Sequence, residues 1–188
     1  MVRKNQIRRK GAPVVSPAAD AASASTAWAW ALGLIVLVTL ISYSNSFSGE
    51  FLFDDVSSIP RNPTIRQLWP FAPCQSCELQ QGATVTGRPV LNFSFAINYA
   101  LGGLAVPGYH ALNLAVHIAN ALLLFGILRR TLALPALREK FGNAVLTLSF
   151  AIALLWAVHP LQTESVSYIV QRAESLVALF YLLMLAAA

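Results

Sequence analysis

The strongest constraint in this sequence is where its charges are missing. No Asp, Glu, Lys or Arg lies between Asp20 and Glu50, between Arg88 and Arg129, between Lys140 and Glu164, or after Glu174. A charged side chain in hydrocarbon is costly, and a helix crossing a bilayer needs about 20 mostly apolar residues. Gaps this long are therefore where spans can lie. Composition points the same way: 11% of residues are charged and 56% hydrophobic, against about 25% charged in a soluble domain. Mean hydropathy is +0.60. A soluble globular domain and a disordered chain are both excluded, and two cysteines cannot staple a disulfide scaffold. The expected class is an all-α polytopic membrane protein.

The first gap predicts a span over 27–43, behind a basic cytoplasmic tail at 1–26, with Trp28, Trp30 and Tyr43 as interfacial anchors. Its long lead and long apolar core favour an uncleaved signal anchor over a cleaved signal peptide. The second gap is broken by Gly102-Gly103 and Pro107-Gly108, which leaves a span over 109–128. Ahead of it, 90–101 is too short to cross, and its apolar positions fit neither the helical nor the strand period. A helix lying in the interface is expected there, inside an outer loop at 44–108. A cytoplasmic loop at 129–141, a third span over 142–158 and an outer loop with a helix start at 159–174 follow. The fourth run, 175–188, reaches Leu185-Ala186-Ala187-Ala188 with no polar flank. It reads as the beginning of a further span in a longer chain; a short final helix from Thr163 is the plainer alternative.

Basic residues in short flanks orient spans. With the N-terminus cytoplasmic, nine basic residues against Asp20 and Glu139 leave +7 inside, and the outer segments carry −2, which together give the net +5. The basic balance is thus a topology signal and calls for no nucleic acid. Ala-rich composition and short loops favour a bacterial inner membrane over an endoplasmic reticulum membrane.

Several outer-face residues could carry chemistry. Phe51-Leu52-Phe53-Asp54-Asp55 opens the long loop. Adjacent carboxylates ordinarily mark a solvated turn or a helix start, but behind an apolar triplet beside a span they could bind a divalent cation or supply a general base. Cys74 and Cys77 form a CxxC with no other cysteine to complete a zinc site, so a local disulfide is expected. His110, Asn113, His117 and Asn120 recur at helical spacing on the second span. They face a bundle interior or a wet cavity, or bond across helices, with His110 nearest the Asp-Asp loop. His159-Pro160-Leu161-Gln162-Thr163-Glu164 closes the third span, and Glu164, Tyr168, Gln171 and Ser175 are expected to share a face of the next helix, with Arg172 and Glu174 nearby.

The stretch from Asn45-Ser46-Phe47-Ser48-Gly49-Glu50 through Phe53-Asp54-Asp55 is similar to the first luminal loop of the transmembrane and tetratricopeptide-repeat O-mannosyltransferases and their bacterial relatives. So are Gly87-Arg88-Pro89-Val90, Asn98-Tyr99-Ala100-Leu101-Gly102-Gly103, Gly108-Tyr109-His110-Ala111-Leu112-Asn113, Ala157-Val158-His159-Pro160-Leu161-Gln162-Thr163-Glu164 and Gln171-Arg172-Ala173-Glu174, in the family's order. The resemblance implies the N-terminal part of a C-type glycosyltransferase fold with a long first outer loop. It also implies transfer of a sugar, mannose in the characterised branch, from a lipid-linked polyprenyl-phosphate donor to a protein acceptor hydroxyl at the outer membrane face. On that template Asp54 or Asp55 is the base, while Arg88, Arg172, His110 and His159 bind the donor phosphate or orient the reactants. Glu164 orients or, with Asp54 and Asp55, holds a divalent metal; no other cofactor is implied. Tetratricopeptide repeats usually follow such a membrane domain, and their absence here agrees with a segment of a longer chain. The sequence also departs from the family by its CxxC and by lacking most later spans, so activity of this segment alone is not expected. Two other readings compete: a non-catalytic membrane anchor for a repeat scaffold, and, ranked last, a transporter.

Overall fold

The computed structural model describes residues 17–68 and 84–188, and every regular element among them is helical. The α-helices are α1 (Pro17–Ser42), α2 (Asp54–Ser58), α3 (Pro89–Gly102), α4 (Val106–Leu132), α5 (Pro135–Phe141), α6 (Val145–Ala157), α7 (Thr163–Ser167) and α8 (Arg172–Ala187), joined by short 3-10 turns. Four stretches are long and apolar enough to cross a membrane: Thr26–Ser48, Val106–Leu132, Pro135–Ala157 and Ile169–Ala187. The chain is an all-α polytopic membrane protein.

Helix ends depart from the expected spans for local reasons. α1 begins at Pro17, well ahead of 27. Proline suits the first turn, and the alanines around Asp20 have the highest helix propensity. α4 starts at Val106, because Pro107 sits in its first turn where a missing N–H costs nothing. At its other end it continues to Leu132, with Arg129 and Arg130 in the last turn, where cations oppose the helix dipole. α6 holds only 13 residues, about 20 Å of rise. The stretch long enough to cross, Pro135–Ala157, takes in α5 and the 3-10 turn Gly142–Ala144 as well.

α4 is the axis of the bundle, packing against α1, α6 and α8 along its length and against α3 and α7 near its start. One apolar cluster joins α1, α4 and α6 through Ala31, Ile35, Ala121, Phe125, Ala153 and Ala157. Four of these six are alanines, and small residues let helices in lipid approach closely. Trp30, Leu34, Leu37 and Ile41 of α1 face outward, as lipid-facing residues do in a solvent as apolar as themselves.

A second cluster seats the loop on the bundle. Ile59, Ile65, Leu91, Phe95 and Ala96 pack with Tyr109, Ile169 and Ala173. α3 explains why its sequence matched neither period. Its protein face buries Leu91, Asn92, Phe95, Ala96 and Asn98, while Val90, Phe93, Ile97 and Leu101 form an exposed stripe at steps of three and four. With apolar residues on both faces, the hydrophobic period cancels. α3 ends at Gly103, whose φ of +59° favours glycine, and whose carbonyl accepts from Tyr109 Oη at 2.9 Å.

Candidate functional site

The end of the bundle opposite Arg129 and Arg130 gathers the loop around Asp54-Asp55, the start of α4 and the irregular segment between α6 and α8. That segment was expected to continue as one helix with Glu164, Tyr168, Gln171 and Ser175 on a shared face. The chain instead leaves the helix at Tyr168 (φ −95°, ψ +113°) and restarts through a 3-10 turn at Ile169–Gln171. Asn113 of α4 is the reason the break is tolerated. Its Nδ2 donates toward the carbonyls of Val166, Tyr168 and Ile169 at 3.4, 3.4 and 3.2 Å, so the oxygens released by the break are not left bare.

Asp54 and Asp55 have opposite environments. The corner before them is strained: Phe53 has φ +44° and ψ −111°, a region non-glycine residues avoid, and its side chain is 85% exposed. Asp55 is 1% exposed. Its Oδ2 accepts from Leu52 N–H at 3.2 Å, closing the corner, and its Oδ1 accepts from Val170 N–H at 2.8 Å, pinning the loop to the approach of α8. Burial holds its pKa above the ordinary carboxylate value; the Leu52, Val170 and Ile169 N–H groups oppose the shift, and the neighbouring Asp54 charge adds to it. Asp54 is exposed, and its backbone N–H donates to Tyr168 Oη at 3.1 Å. Burial raises the Tyr168 phenol pKa, and the Asp54, Asp55 and Glu164 charges raise it further against the lowering effect of that hydrogen bond. Tyr168 therefore keeps its own proton at neutral pH and can donate it beside Asp54.

Glu164, also exposed, accepts from Gln171 Nε2 at 3.2 Å, and its charge reaches Tyr168. His159 is exposed, with Nδ1 accepting from Leu161 N–H at 3.2 Å, capping the turn at Pro160–Gln162. Its Nε2 is the nitrogen left for other partners. Arg88 stands apart from the carboxylates, on the rim of a groove of about 220 Å³ between the start of α3 and the Glu174, Val177 and Phe180 side of α8.

Arg172 is enclosed instead of presented. At 0% exposure, its Nε donates to Asn113 Oδ1 at 2.6 Å, Nη1 to Asn98 Oδ1 and Ser94 Oγ at 2.8 and 3.1 Å, and Nη2 to the Tyr109 carbonyl at 2.9 Å. Its guanidinium also lies 4.7 Å from the Phe95 ring centroid. The Asp55 carboxylate is close enough to attract it. Three helices, α3, α4 and α8, are thus tied by one side chain.

His110 is 1% exposed, and neither ring nitrogen makes a hydrogen bond of ordinary geometry, although the Val166 backbone acts on the ring. Its Nε2 sits where a side chain on Gly49 would be: a Cβ there would lie 2.9 Å away. Deeper on the same face, His117 Nε2 lies 2.8 Å from the Ala157 carbonyl, with the ring stacked on Trp156. Asn120 Nδ2 donates to the Ser175 carbonyl at 2.9 Å. The expected stripe on α4 is therefore buried between helices.

Asp54, Asp55, Glu164 and Arg172 come together around Tyr168 and the turn after it; Arg88 lies on a different groove, and His159 is held by its own turn. Cys74 and Cys77 lie outside the described residues. Among the described residues no three His, Cys, Asp or Glu side chains group as a metal site. Each Asp55 oxygen accepts one backbone N–H, while the Asp54 and Glu164 carboxylates are exposed. Tyr168, Asn98 and Gly49 matter more than single-residue inspection suggested. Asn98 and Gly49 did lie inside the family-like segments, but burial and contact assign their parts.

No protein-family model and no solved structure matches the chain. Among curated proteins, it is 32% identical over 156 residues to protein O-mannosyl-transferase TMTC4 of Homo sapiens, covering 78% of this chain and 21% of that protein. With protein O-mannosyl-transferase TMTC1 of Homo sapiens it shares 33% over 153 residues, 76% of this chain and 16% of the relative. With protein O-mannosyl-transferase Tmtc3 of Drosophila melanogaster it shares 30% over 166 residues, 79% and 18% respectively. The chain spans about a fifth of the length of these relatives. The similarity covers more than three quarters of the chain, and by it the chain belongs to the transmembrane and tetratricopeptide-repeat O-mannosyltransferase family.

Proposed function

We propose that this chain forms the carboxylate-bearing part of a membrane O-mannosyltransferase. In this reading mannose moves from a polyprenyl-phosphate carrier to a protein hydroxyl. The observation that carries it is the division of labour at the strained corner: Asp55 is consumed in holding the loop, while Asp54 stands exposed beside the Tyr168 hydroxyl. The acceptor oxygen attacks the anomeric carbon, the bond from that carbon to the phosphate oxygen breaks, and the acceptor's proton passes to Asp54. The leaving phosphate departs on its lipid. Charge developing on that phosphate is best stabilised by pre-placed donors, a role assigned to His159, with Glu164 and Tyr168 orienting the acceptor. Arg172 and His110 act as positioning residues, through the frame that holds Asp55 and the loop.

The N-terminus and the Arg129 end lie on the cytoplasmic face in this reading, with the carboxylates on the opposite face of a bacterial inner membrane or an endoplasmic reticulum membrane. The supporting feature is the segregation of basic flanks. The test is mannosyl transfer from a polyprenyl-phosphate donor by the full-length protein. Asp54→Asn should reduce kcat by roughly a hundredfold or more, as loss of a general base does, with unchanged thermal stability. Wild-type turnover in Asp54→Asn would overturn the assignment, and wild-type turnover in both aspartate variants would favour a non-catalytic anchor.

A further inference from the structure

Away from the carboxylates, α1, α4 and α8 leave a surface groove of about 240 Å³ at the basic end of the bundle. Trp28, Leu122, Gly126 and Ile127 line it, and Arg129 and Arg130 stand at its edge. Arg129 stacks on the Trp28 indole, 3.3 Å from the ring centroid. Arg130 is steadied by one bond, Nη1 to the Ala186 carbonyl at 2.7 Å. Stacking leaves the in-plane N–H groups of a guanidinium available, and those groups match the geometry of a phosphodiester. Both arginines belong to the last turn of a span, which is headgroup depth in a bilayer. The wall below them is apolar, and Gly126 opens it further: a Cβ at that position would meet nothing within 4 Å.

We propose that this groove binds one anionic glycerophospholipid. Its phosphodiester lies against Arg129 and Arg130, and an acyl chain runs along Leu122, Gly126 and Ile127. Two cations above an apolar slot fit a phospholipid better than a free anion, which has no use for the slot. Basic pockets between spans are where acidic headgroups lodge in membrane proteins. The inference is independent of the transferase reading, since none of these residues belongs to the carboxylate end.

The test is lipid retention by the full chain, purified in a neutral detergent and mixed with phosphatidylglycerol or phosphatidylcholine, read by native mass spectrometry. One phosphatidylglycerol should remain bound per chain in preference to phosphatidylcholine. The double variant Arg129→Gln, Arg130→Gln should weaken retention on the order of tenfold or more. Gly126→Leu keeps both cations but fills the slot, and should weaken it comparably while leaving the melting temperature near wild type. Arg138→Gln, Lys140→Gln removes the same charge from α5, outside the groove, and should change retention less than about twofold. Equal losses from the two double variants would overturn the proposal, because general surface charge would explain them. Displacement of the lipid by millimolar inorganic phosphate would also overturn it, because the site would then be for an anion alone.

Discussion

The two ends of the bundle each place arginine beside hydrocarbon, and they treat it differently. At the carboxylate end Arg172 is sealed, with Asn113, Asn98, Ser94 and the Tyr109 carbonyl accepting its hydrogens and Phe95 covering its face. At the basic end Arg129 rests on an indole and Arg130 on one carbonyl, both at the edge of an open groove. A charge that is fully matched inside a protein is expensive to disturb, because its partners lose their bonds with it. A charge held by one contact at a headgroup surface contributes little to the fold and remains available for something else.

Substitution can break or sharpen this contrast. The largest effect is expected from Arg172→Leu, which strands two asparagine oxygens, a hydroxyl and a carbonyl in the interior. A loss of about 3–5 kcal/mol is expected, read as a large drop in thermal unfolding temperature in detergent. A near-wild-type melting point would mean that the network is not what ties α3, α4 and α8 together. Next comes Gly49→Ala, where the new Cβ meets His110 Nε2 at 2.9 Å and should cost about 1–3 kcal/mol by overpacking. Adding His110→Ala should recover part of that loss, and a strictly additive double variant would contradict the close approach.

A smaller effect distinguishes the two aspartates. The pKa of folded Asp55 is raised, so between the unfolded and folded values the native state binds more protons than the unfolded one. Unfolding free energy must then fall as pH rises through that window. Asp55→Asn should remove that component of the slope, whereas Asp54→Asn should leave it intact; identical slopes for the two variants would erase the distinction drawn between them. The smallest effect belongs to the basic end. Arg130→Gln should shift stability by about 0.5 kcal/mol or less, and a loss approaching that of Arg172→Leu would show that the two ends are built alike.

That several stretches are apolar enough to cross a membrane was legible because a missing charge is a direct mark of the desolvation cost that hydrocarbon imposes. The ends of the helices were not, since Pro107 reads as a breaker until it is seen in a first turn. The helix expected over 90–101 is α3, and its period was blurred because both of its faces are apolar in part, one buried and one exposed. At the site, sequence order suggested that Asp54, Asp55, Glu164 and Arg172 share an end of the molecule. It could not assign them different work. That depended on backbone N–H groups at Leu52 and Val170 turning toward Asp55, and on a helix break at Tyr168 that Asn113 makes affordable. Hydrophobic patterning carries no record of such bonds.

The enclosure of Arg172 also bears on how the molecule assembles. A guanidinium without partners is strongly disfavoured in hydrocarbon, and its partners here come from two earlier segments, α3 and α4. Full pairing of Arg172 therefore requires α3 to lie against the head of α4. A loop folded in the wrong register would offer the arginine no seat and leave α8 loose in the bilayer. One buried cation thus makes the seating of α8 depend on where α3 and α4 lie.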